Sequence, residues 1–421
     1  MNYRIFPPEE IIETTLTLPL SKSISARSII INALTPDAPE LPDAADCDDT
    51  RALLKALAEP DATEINIGAA GTAMRFLTAY FAIQEGRDVR LDGSERMRRR
   101  PIAPLVDALR QLGADISYEG EEGFPPLHIR GRRLRGGALT IDASISSQFV
   151  SALLMIAPLL EGGLTLTLRG QLVSRPYIVM TLGLMERAGV ESDFYLDTIT
   201  VPAATYRRGL PDAEPDWSAA SAWYEIAAIS SGWITFTSLP ELSLQGDRAC
   251  AALYASLGVN TTFTSDEGTS LSANPDQSPR LVHDFTDTPD LVQGAVVTCA
   301  MLGIPFRFTG LKTLAIKETD RCQALVNELS KIGILLRREA DDTLVWEGER
   351  RPFNELPVFE TYEDHRMAMA LAPVSLFIPG TVILNPDVVS KSYPGYWDQL
   401  REAGFAIVDA DAPLPEPTET I

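Results

Sequence analysis

The feature that most constrains the fold of this chain is an internal repeat of about 70 residues. Five segments share the pattern of a helix that ends at a glycine and is followed by a short apolar strand. Glycine is favoured at this point because the residue that follows a helix commonly adopts the left-handed conformation. A sixth, more divergent copy is predicted over 50–67, with Pro60 near its turn. The five glycines are spaced by 76, 69, 75 and 71 residues: Gly113, Gly189, Gly258, Gly333 and Gly404.

A second type of helix alternates with the first along the chain. It is rich in Ala, Met, Leu and small residues and is apolar on nearly all sides, which predicts helices buried within the protein. Short β-branched runs such as 164–170 and 381–386 lie between the helices and predict strands. Each unit is therefore expected to contain two helices and several strands. The six segments of the second type are 23–34, 71–83, 146–160, 218–230, 289–302 and 363–377.

These units predict a mixed α/β fold with two lobes of three units each and a cleft between the lobes. The stretch 202–217, which contains three prolines, separates the third unit from the fourth. Ordinary α/β alternation without a true repeat is the alternative interpretation. The repeat is favoured over it because two different landmarks recur in step along most of the chain.

The amino-acid composition argues against several classes of binding partner and site. The chain has 58 acidic and 36 basic residues, a formal net charge of −22, which argues against nucleic acid or an anionic membrane surface as the main partner. Four cysteines without CxxC spacing and three isolated histidines argue against a zinc site and favour a reducing, cytoplasmic compartment. We expect no signal peptide, and no apolar run reaches the roughly 18 residues of a membrane span.

Basic residues at the predicted helix starts oppose this global charge. The helix dipole places positive potential at an N-terminus, so lysine and arginine are disfavoured there, and such a violation commonly marks function. Each motif alone has an ordinary interpretation: a close-packed helix start for 71–75, a solvated basic loop for 96–100 and a surface charge cluster for 317–321. Together they predict an anion site made of backbone N–H groups and cations. The basic residues are Lys22, Arg27, Arg75, Arg100, Arg175, Lys317, Arg321, Arg366 and Lys391.

At these residues the sequence resembles the 5-enolpyruvylshikimate-3-phosphate synthase family. The matching strings follow the order of the family and cover nearly the whole chain, so the resemblance is highly specific. They are LPLSKSISAR (18–27), GAAGTAMRF (68–76), RMRRRPIAPLVDAL (96–109), SISSQFVSALLMIAPL (144–159), LVSRPYI (172–178), TPDL (288–291), IKETDR (316–321), TYEDHRMAMAL (361–371) and KSYPGYW (391–397).

The resemblance implies a two-lobed inverse α/β barrel, with residues 17–216 in one lobe and residues 1–16 plus 217–421 in the other. It implies transfer of the enolpyruvyl group of phosphoenolpyruvate to the 5-hydroxyl of shikimate 3-phosphate, with release of phosphate. Neither a metal nor an organic cofactor is expected, and we expect a monomer. Both substrates are multiply anionic, as the cationic helix starts require.

The resemblance also implies a role for each matching position. Asp290 is expected as the base, and Glu318 as the acid, with Lys22 as its rival or assistant. The expected contacts of shikimate 3-phosphate are Lys22, Ser23, Arg27, Ser146, Ser147, Gln148, Ser174, Tyr177, Asp290 and Lys317. Those of phosphoenolpyruvate are Lys22, Gly71, Arg100, Gln148, Arg321, Arg366 and Lys391.

Several positions depart from the pattern of the family. Ala69 and Thr313 each stand where an asparagine is common, Phe76 replaces a proline, and Trp217 interrupts a Gly-Asp-Ala-Ser run. Two alternative functions stay open. One is the related UDP-N-acetylglucosamine enolpyruvyl transferase, whose mobile loop carries a reactive cysteine that 91–104 lacks here. The other is an anion-binding protein without turnover, which would gain nothing from Asp290 and Glu318.

Overall fold

The computed structural model describes residues 1–38, 43–207, 209–264 and 268–412. Within these ranges twelve α-helices follow one another in six pairs. They are α1 (Lys22–Ala33), α2 (Asp48–Ala58), α3 (Gly71–Ala82), α4 (Ala103–Gln111), α5 (Ser147–Ile156), α6 (Arg175–Arg187), α7 (Trp217–Ser230), α8 (Cys250–Ala255), α9 (Val292–Leu302), α10 (Arg321–Ser330), α11 (His365–Leu371) and α12 (Tyr396–Glu402).

Twenty strands in the described residues build five four-stranded sheets. The strands are β1 (Tyr3–Phe6), β2 (Glu13–Leu16), β3 (Glu64–Asn66), β4 (Asp88–Asp92), β5 (Asp115–Tyr118), β6 (Leu127–Arg130), β7 (Arg135–Asp142), β8 (Glu161–Arg169), β9 (Asp193–Tyr195), β10 (Thr198–Val201), β11 (Trp233–Phe236), β12 (Leu257–Thr264), β13 (Gly268–Gln277), β14 (Leu281–Asp284), β15 (Phe306–Thr309), β16 (Arg337–Glu339), β17 (Thr343–Trp346), β18 (Val358–Phe359), β19 (Thr381–Ile383) and β20 (Ala406–Asp409).

All five sheets have the same strand order. The first and second strands of a unit pair in parallel, and the fourth strand lies between the second and the third, antiparallel to both. In the last sheet β1 takes this fourth position, between β19 and β20. The sheet beside α7 and α8 takes β2 as its first strand. The recurrence of one order confirms the prediction of repeated units in a mixed α/β fold.

The first helix pair differs from the other five. Among the described residues no sheet belongs to α1 and α2 alone, so the expectation of a sheet in each of the six units holds in five. Helix α2 ends at Ala58, and the strand that follows Pro60, β3, is the first strand of the next sheet. The divergence seen in the sequence at 50–67 therefore reflects a unit without strands of its own in these ranges.

The glycine landmarks have the backbone conformation that the sequence predicts. All five have positive φ, between 77° and 99°, and each follows the helix of its unit. The other helix of each pair is buried along most of its length, as its apolar composition predicts. In α3, for example, ten of the twelve residues are buried.

The buried apolar side chains form two separate clusters. One cluster contains residues between Ile24 and Ala213, and the other contains residues from Ile5 to Leu18 and from Trp217 to Phe405. We refer to the parts of the chain that form these two clusters as the two lobes. The bounds 17–216 and 1–16 plus 217–421 stay a prediction; Leu18 packs with the second cluster, and residues 413–421 lie outside the described ranges. The two segments in which the chain passes from one cluster to the other are hydrogen-bonded to each other, since Ser21 N donates to the Glu214 carbonyl at 2.7 Å.

Candidate functional site

A cavity lies where the two hydrophobic clusters meet. It is lined by seven basic side chains and four acidic ones, in a chain whose net charge is −22. Every residue expected to contact a substrate or transfer a proton lines this cavity except Lys391. Those that line it are Lys22, Ser23, Arg27, Gly71, Arg100, Ser146, Ser147, Gln148, Ser174, Tyr177, Asp290, Lys317, Glu318, Arg321 and Arg366. Of the helix-start cations, Arg175 also lies outside the lining, with its guanidinium 5.0 Å from the Phe194 ring centre.

The starts of several helices bring these residues together. Lys22 is the first residue of α1, Arg321 is the first of α10, and Arg366 is the second of α11. Each of these helices has a side chain that caps it, so the basic residue is not needed to satisfy the backbone. The caps are Ser21, which accepts from Ile24 N, Asp320, which accepts from Gln323 N, and Asp364, which accepts from Arg366 N.

Arg321 is the centre of a buried charge network. It is 1% exposed, and its guanidinium contacts three carboxylates. Nε lies 2.7 Å from Asp364 Oδ2, Nη1 lies 2.8 Å from Asp290 Oδ1, and Nη2 lies 3.1 Å from Glu318 Oε2. Arg366 adds a second cation to Asp290, with Nη2 at 2.9 Å from Oδ2. The network is thus nearly neutral, because each cation faces at least one carboxylate.

The two candidate proton-transfer residues are both ionised in this network. Burial would raise the pKa of Asp290, but Arg366, Lys317 and Arg321 outweigh it and hold the pKa well below its usual range. Burial would likewise raise the pKa of Glu318, and Arg100 and Arg321 hold it well below its usual range. An acid for neutral pH needs a raised pKa, so Glu318 requires a change in the charges around it before it can donate a proton.

Lys22 faces the cavity beside a carboxylate that the sequence did not single out. Its Nζ lies 3.6 Å from Asp49 Oδ2, on the first turn of α2. Burial would lower the pKa of Lys22, but Asp49 and other neighbours outweigh it and raise the pKa, so the ammonium is charged. Asp49 also accepts from Thr72 N at 3.3 Å, and Thr72 Oγ1 accepts from Gln148 Nε2 at 3.3 Å.

Arg27 is held differently from Arg321. It is 2% exposed, and its polar partners in the described residues are hydroxyl and carbonyl oxygens, among them Thr181 Oγ1 at 2.7 Å and Ser151 Oγ at 3.0 Å. The guanidinium also lies 5.4 Å from the Phe76 ring centre and 5.8 Å from that of Tyr177. Burial lowers the pKa of Arg27 to about 10, which leaves it charged at neutral pH.

Two further residues, Tyr177 and Gly71, determine how groups approach one another in the cavity. The Tyr177 hydroxyl donates to Asp290 Oδ2 at 3.2 Å, which joins the lobes across the cleft. A Cβ at Gly71 would lie only 2.5 Å from Arg100 Nη1, so the glycine permits the guanidinium to approach the start of α3. Arg100 itself lies 3.8 Å from Glu318 Oε1 of the opposite lobe.

Lys391 is the one expected substrate contact that does not line the cavity. Its Nζ donates to the Glu363 carbonyl at 2.8 Å, while the adjacent Ser392 does line the cavity. The departures from the family pattern lie in different surroundings. Phe76 and Trp217 are fully buried, and the ring centre of Trp217 lies 6.3 Å from that of Tyr224, whereas Thr313 lines the cavity.

Sequence reasoning missed several residues that line the cavity. Asp49 and Asp216 resemble ordinary helix-start acids, and nothing local shows that they face cations more than 20 residues away. Arg75 belongs to the recognised set of helix-start cations, which was the available signal for it. His365 is 2% exposed, both ring nitrogens lack a hydrogen-bond partner among the described residues, and burial with nearby cations lowers its pKa well below its usual value.

The described residues provide neither a metal-binding cluster nor a membrane-spanning helix. No group of three or more His, Cys, Asp or Glu side chains in these ranges is arranged to hold a metal ion. None of the helices in the same ranges combines the length and hydropathy that a bilayer crossing requires. All four cysteines are free and buried.

Comparison with known proteins identifies relatives over nearly the full chain. Residues 56–400 match the family model described as EPSP synthase (3-phosphoshikimate 1-carboxyvinyltransferase). A 3-phosphoshikimate 1-carboxyvinyltransferase of Bacteroides fragilis (strain YCH46) is 50% identical over 409 residues, covering 97% of this chain and 99% of the relative. One of Vibrio cholerae serotype O1 (strain M66-2) is 35% identical over 423 residues, covering 94% and 98%. A solved EPSP synthase from Acinetobacter baumannii, 19% identical, superposes with a TM-score of 0.73 and covers 97% of this chain and 100% of that one, which shows the shared fold.

Proposed function

The chain belongs to the EPSP synthase (3-phosphoshikimate 1-carboxyvinyltransferase) family and is a transferase of the shikimate pathway, and we propose how its cavity performs the transfer. The observation that carries the proposal is the meeting of seven cations with the ionised pair Asp290 and Glu318 at one cavity. The cations suit two small anions, and the carboxylates suit proton transfer between them. The residue roles below are proposals.

Shikimate 3-phosphate is assigned to the side of the cavity built mainly from residues 17–216. Arg27 is a buried cation without a carboxylate partner in the described residues, so an anionic group of the ligand would complete its charge balance. Serine hydroxyls at the starts of α1, α5 and α6 offer donors for phosphate oxygens. The proposed contacts are Lys22, Ser23, Arg27, Ser146, Ser147, Gln148, Ser174, Tyr177, Asp290 and Lys317.

Phosphoenolpyruvate is assigned to the side where α3, α10 and α11 begin. Arg100, Arg321 and Arg366 provide guanidinium groups for its phosphate and carboxylate, with Lys22 and Gln148 shared between the two ligands. Gly71 leaves room for Arg100 at the start of α3. The Lys391 ammonium binds the Glu363 carbonyl, and we propose that it exchanges that partner for the ligand.

The chemistry is an addition followed by an elimination. The 5-hydroxyl oxygen bonds to C2 of phosphoenolpyruvate while its proton passes to Asp290 and a proton is added to C3. The intermediate then loses phosphate as a proton passes from C3 back to the group that donated it, which restores the double bond, and the departing phosphate takes up the hydroxyl proton held by Asp290. Neither a metal nor an organic cofactor is part of this proposal.

Glu318 is proposed as the donor to C3, with Lys22 as the alternative donor. Phosphoenolpyruvate between Arg100 and Arg321 would neutralise the two cations that hold the pKa of Glu318 down. Burial, the opposing influence, would then dominate and raise the pKa of Glu318 toward the range of an acid at neutral pH. Substrate binding and activation of the acid are thereby coupled.

Two other functions are less well supported. The UDP-N-acetylglucosamine enolpyruvyl transferase uses a reactive cysteine in its mobile loop, and 91–104 contains none. A protein that merely binds anions would gain nothing from placing Asp290 beside Tyr177 and two arginines. We also propose a monomer in a reducing, cytoplasmic compartment, with the four free cysteines as support for the compartment.

The test is direct measurement of turnover. Purified protein is mixed with shikimate 3-phosphate and phosphoenolpyruvate, and phosphate release and the enolpyruvyl product are followed, with UDP-N-acetylglucosamine as the competing acceptor. We expect phosphate release only with shikimate 3-phosphate. Binding of both ligands without release would favour the anion-binding protein, and release with the UDP-sugar alone would favour the related transferase.

A further inference from the structure

Asp247 is a buried carboxylate beside the cavity that the proposed reaction does not use. It lies in the short 3-10 turn Gly246–Ala249, just before α8, and is 2% exposed. Its Oδ2 accepts the hydrogen bond of the Ser218 hydroxyl, and its Oδ1 has no hydrogen-bond partner within the described ranges. Ser218 stands in the first turn of α7 and lines the cavity.

This contact fixes the polarity of the Ser218 hydroxyl. A serine hydroxyl has one hydrogen, and because Ser218 donates it to Asp247, the oxygen presents only lone pairs to the cavity. The Ser146 hydroxyl is arranged in the opposite sense: its oxygen accepts from Gln148 N at 3.3 Å, which leaves its hydrogen for a ligand. Ser218 therefore disfavours anions and favours a hydroxyl donor, within a cavity that otherwise attracts anions.

We propose that Ser218 is a further substrate-contacting residue, which accepts a hydrogen bond from the unreacting ring hydroxyl of shikimate 3-phosphate, and that Asp247 is its positioning residue. The inference rests on the proposed function. Ionised phosphoenolpyruvate carries acceptors alone, so it cannot supply the donor. In the other ligand the 3-position carries phosphate and the 5-hydroxyl is assigned to Asp290, which leaves the 4-hydroxyl.

The groups around Asp247 determine how the contact responds to pH. Burial, with smaller contributions from Asp290 and Asp216, raises the pKa of Asp247 to about 6, against the opposing influence of Arg366 and of the Ser218 hydrogen bond. Tyr177 and Cys250 face the same carboxylate from α6 and α8. Above pH 6 the carboxylate accepts the Ser218 hydrogen, whereas the protonated form at lower pH can donate to Ser218 and release that hydrogen toward the cavity.

The first experiment compares the wild-type protein with Ser218→Ala at pH 7.5. Loss of one hydrogen bond is expected to raise the Kd of shikimate 3-phosphate, measured by calorimetry without phosphoenolpyruvate, about 5- to 20-fold. The KM of phosphoenolpyruvate should change less than about twofold. Ser230→Ala is the matched control, because it removes a hydroxyl at the other end of α7 that donates to the Ile226 carbonyl.

A ligand lacking the 4-hydroxyl tests the assignment without depending on any one variant. The 4-deoxy analogue should bind more weakly than shikimate 3-phosphate to the wild-type protein, and this difference should shrink at least fivefold in Ser218→Ala. An undiminished difference would overturn the assignment. If wild-type protein turns over and Ser218→Ala binds shikimate 3-phosphate normally, this inference fails alone; if wild-type protein does not turn over, the proposed function fails.

The role of Asp247 is read from a pH profile. The ratio of the Kd values of Ser218→Ala and wild-type protein removes the titration of the ligand itself, and we expect this ratio to change as the pH falls through 6, because the hydrogen bond between Ser218 and the 4-hydroxyl then reverses its direction. Asp247→Asn keeps the size of the side chain but cannot titrate, so with it the ratio should no longer depend on pH. A ratio that is constant from pH 5 to 8 in the wild-type protein would overturn the positioning role.

Discussion

The two lobes hold their buried arginines in opposite ways. In the 217–421 lobe Arg321 contacts Asp290, Glu318 and Asp364, and each of these carboxylates comes from the same lobe. In the 17–216 lobe Arg27 is equally buried, but within the described ranges its partners are hydroxyls, carbonyls and aromatic rings. One lobe neutralises its charge internally, and the other leaves charge to be neutralised by a ligand.

This difference separates binding from reaction. A buried cation without a counter-ion costs free energy that an anionic ligand recovers, so the 17–216 lobe is suited to affinity. Carboxylates held between cations keep a defined protonation state until a ligand disturbs the balance, so the other lobe is suited to proton transfer. Ligand binding and closure of the cleft would bring the two properties together.

The largest expected effect is the loss of turnover when either of the two proposed proton-transfer carboxylates is replaced. Asp290→Asn and Glu318→Gln should each lower kcat by about 10²- to 10⁴-fold, because each removes a proton-transfer group while keeping its shape. Binding of shikimate 3-phosphate should be retained, within about tenfold. Phosphate-release kinetics and calorimetry check both quantities, and a variant with normal turnover would show that its residue is not part of the chemistry.

Replacement of the two arginines tests the comparison most directly. Arg321→Met leaves three carboxylates facing one another, and the free energy of unfolding should fall by about 3–5 kcal/mol. Arg27→Met removes a cation whose neighbours keep partners, since Thr181 Oγ1 donates to the Tyr177 carbonyl at 2.8 Å. That variant should unfold at nearly the wild-type denaturant concentration but bind shikimate 3-phosphate about 100-fold more weakly. Equal destabilisation of the two variants would refute the contrast.

A smaller effect is expected at Gly71, which lies against Arg100, the arginine that reaches Glu318 of the other lobe. Gly71→Ala places a methyl group against the Arg100 guanidinium, which must move. We expect the KM of phosphoenolpyruvate to rise about tenfold, with the Kd of shikimate 3-phosphate unchanged. Gly395→Ala is the control, because a Cβ there meets nothing within 4 Å and φ is −80°. Similar effects of both variants would argue against the role of Gly71.

The smallest effect concerns an acid outside the charge network. Glu225 on α7 is 1% exposed, and burial raises its pKa well above the usual value. Its folded pKa exceeds its unfolded pKa, so its contribution to stability is present at low pH and is lost as pH rises through the folded pKa. Glu225→Gln should therefore raise Tm by on the order of 1–2 °C at pH 8 and not at pH 4.5. The exposed Glu186→Gln on α6 should change Tm at neither pH.

The repeat and the binding cations could be predicted because each depends on a requirement of the local backbone. A glycine after a helix reflects a requirement on its own φ, and a lysine or arginine at a helix start opposes the dipole of its own helix. The absence of a separate sheet for α1 and α2 among the described residues was indicated in the sequence only by divergence near Pro60. The strand that follows it pairs with β4, a choice that no local pattern determines.

The counter-ions of the cations could not be predicted in the same way. Asp364 caps α11, and this role alone is sufficient reason for an aspartate at that position in the sequence. In the structure it also contacts Arg321, 43 residues earlier. Asp49 is an ordinary acid in a first helical turn until α1 brings Lys22 beside it. Pairings of this kind depend on how the units pack, so sequence could identify the cations but not how they are neutralised.

The position of β1 has a consequence for how the chain is made. This strand is made before β2 to β20, but its neighbours β19 and β20 lie about 375 residues or more downstream, with Tyr3 opposite Ile383 and Asp409. The helices and sheets of 17–216 find their partners within that span and can fold while synthesis continues. The other lobe must wait for the last strand. During translation the affinity half of the site would thus form first, and the reactive half would be completed only after β20 has been made.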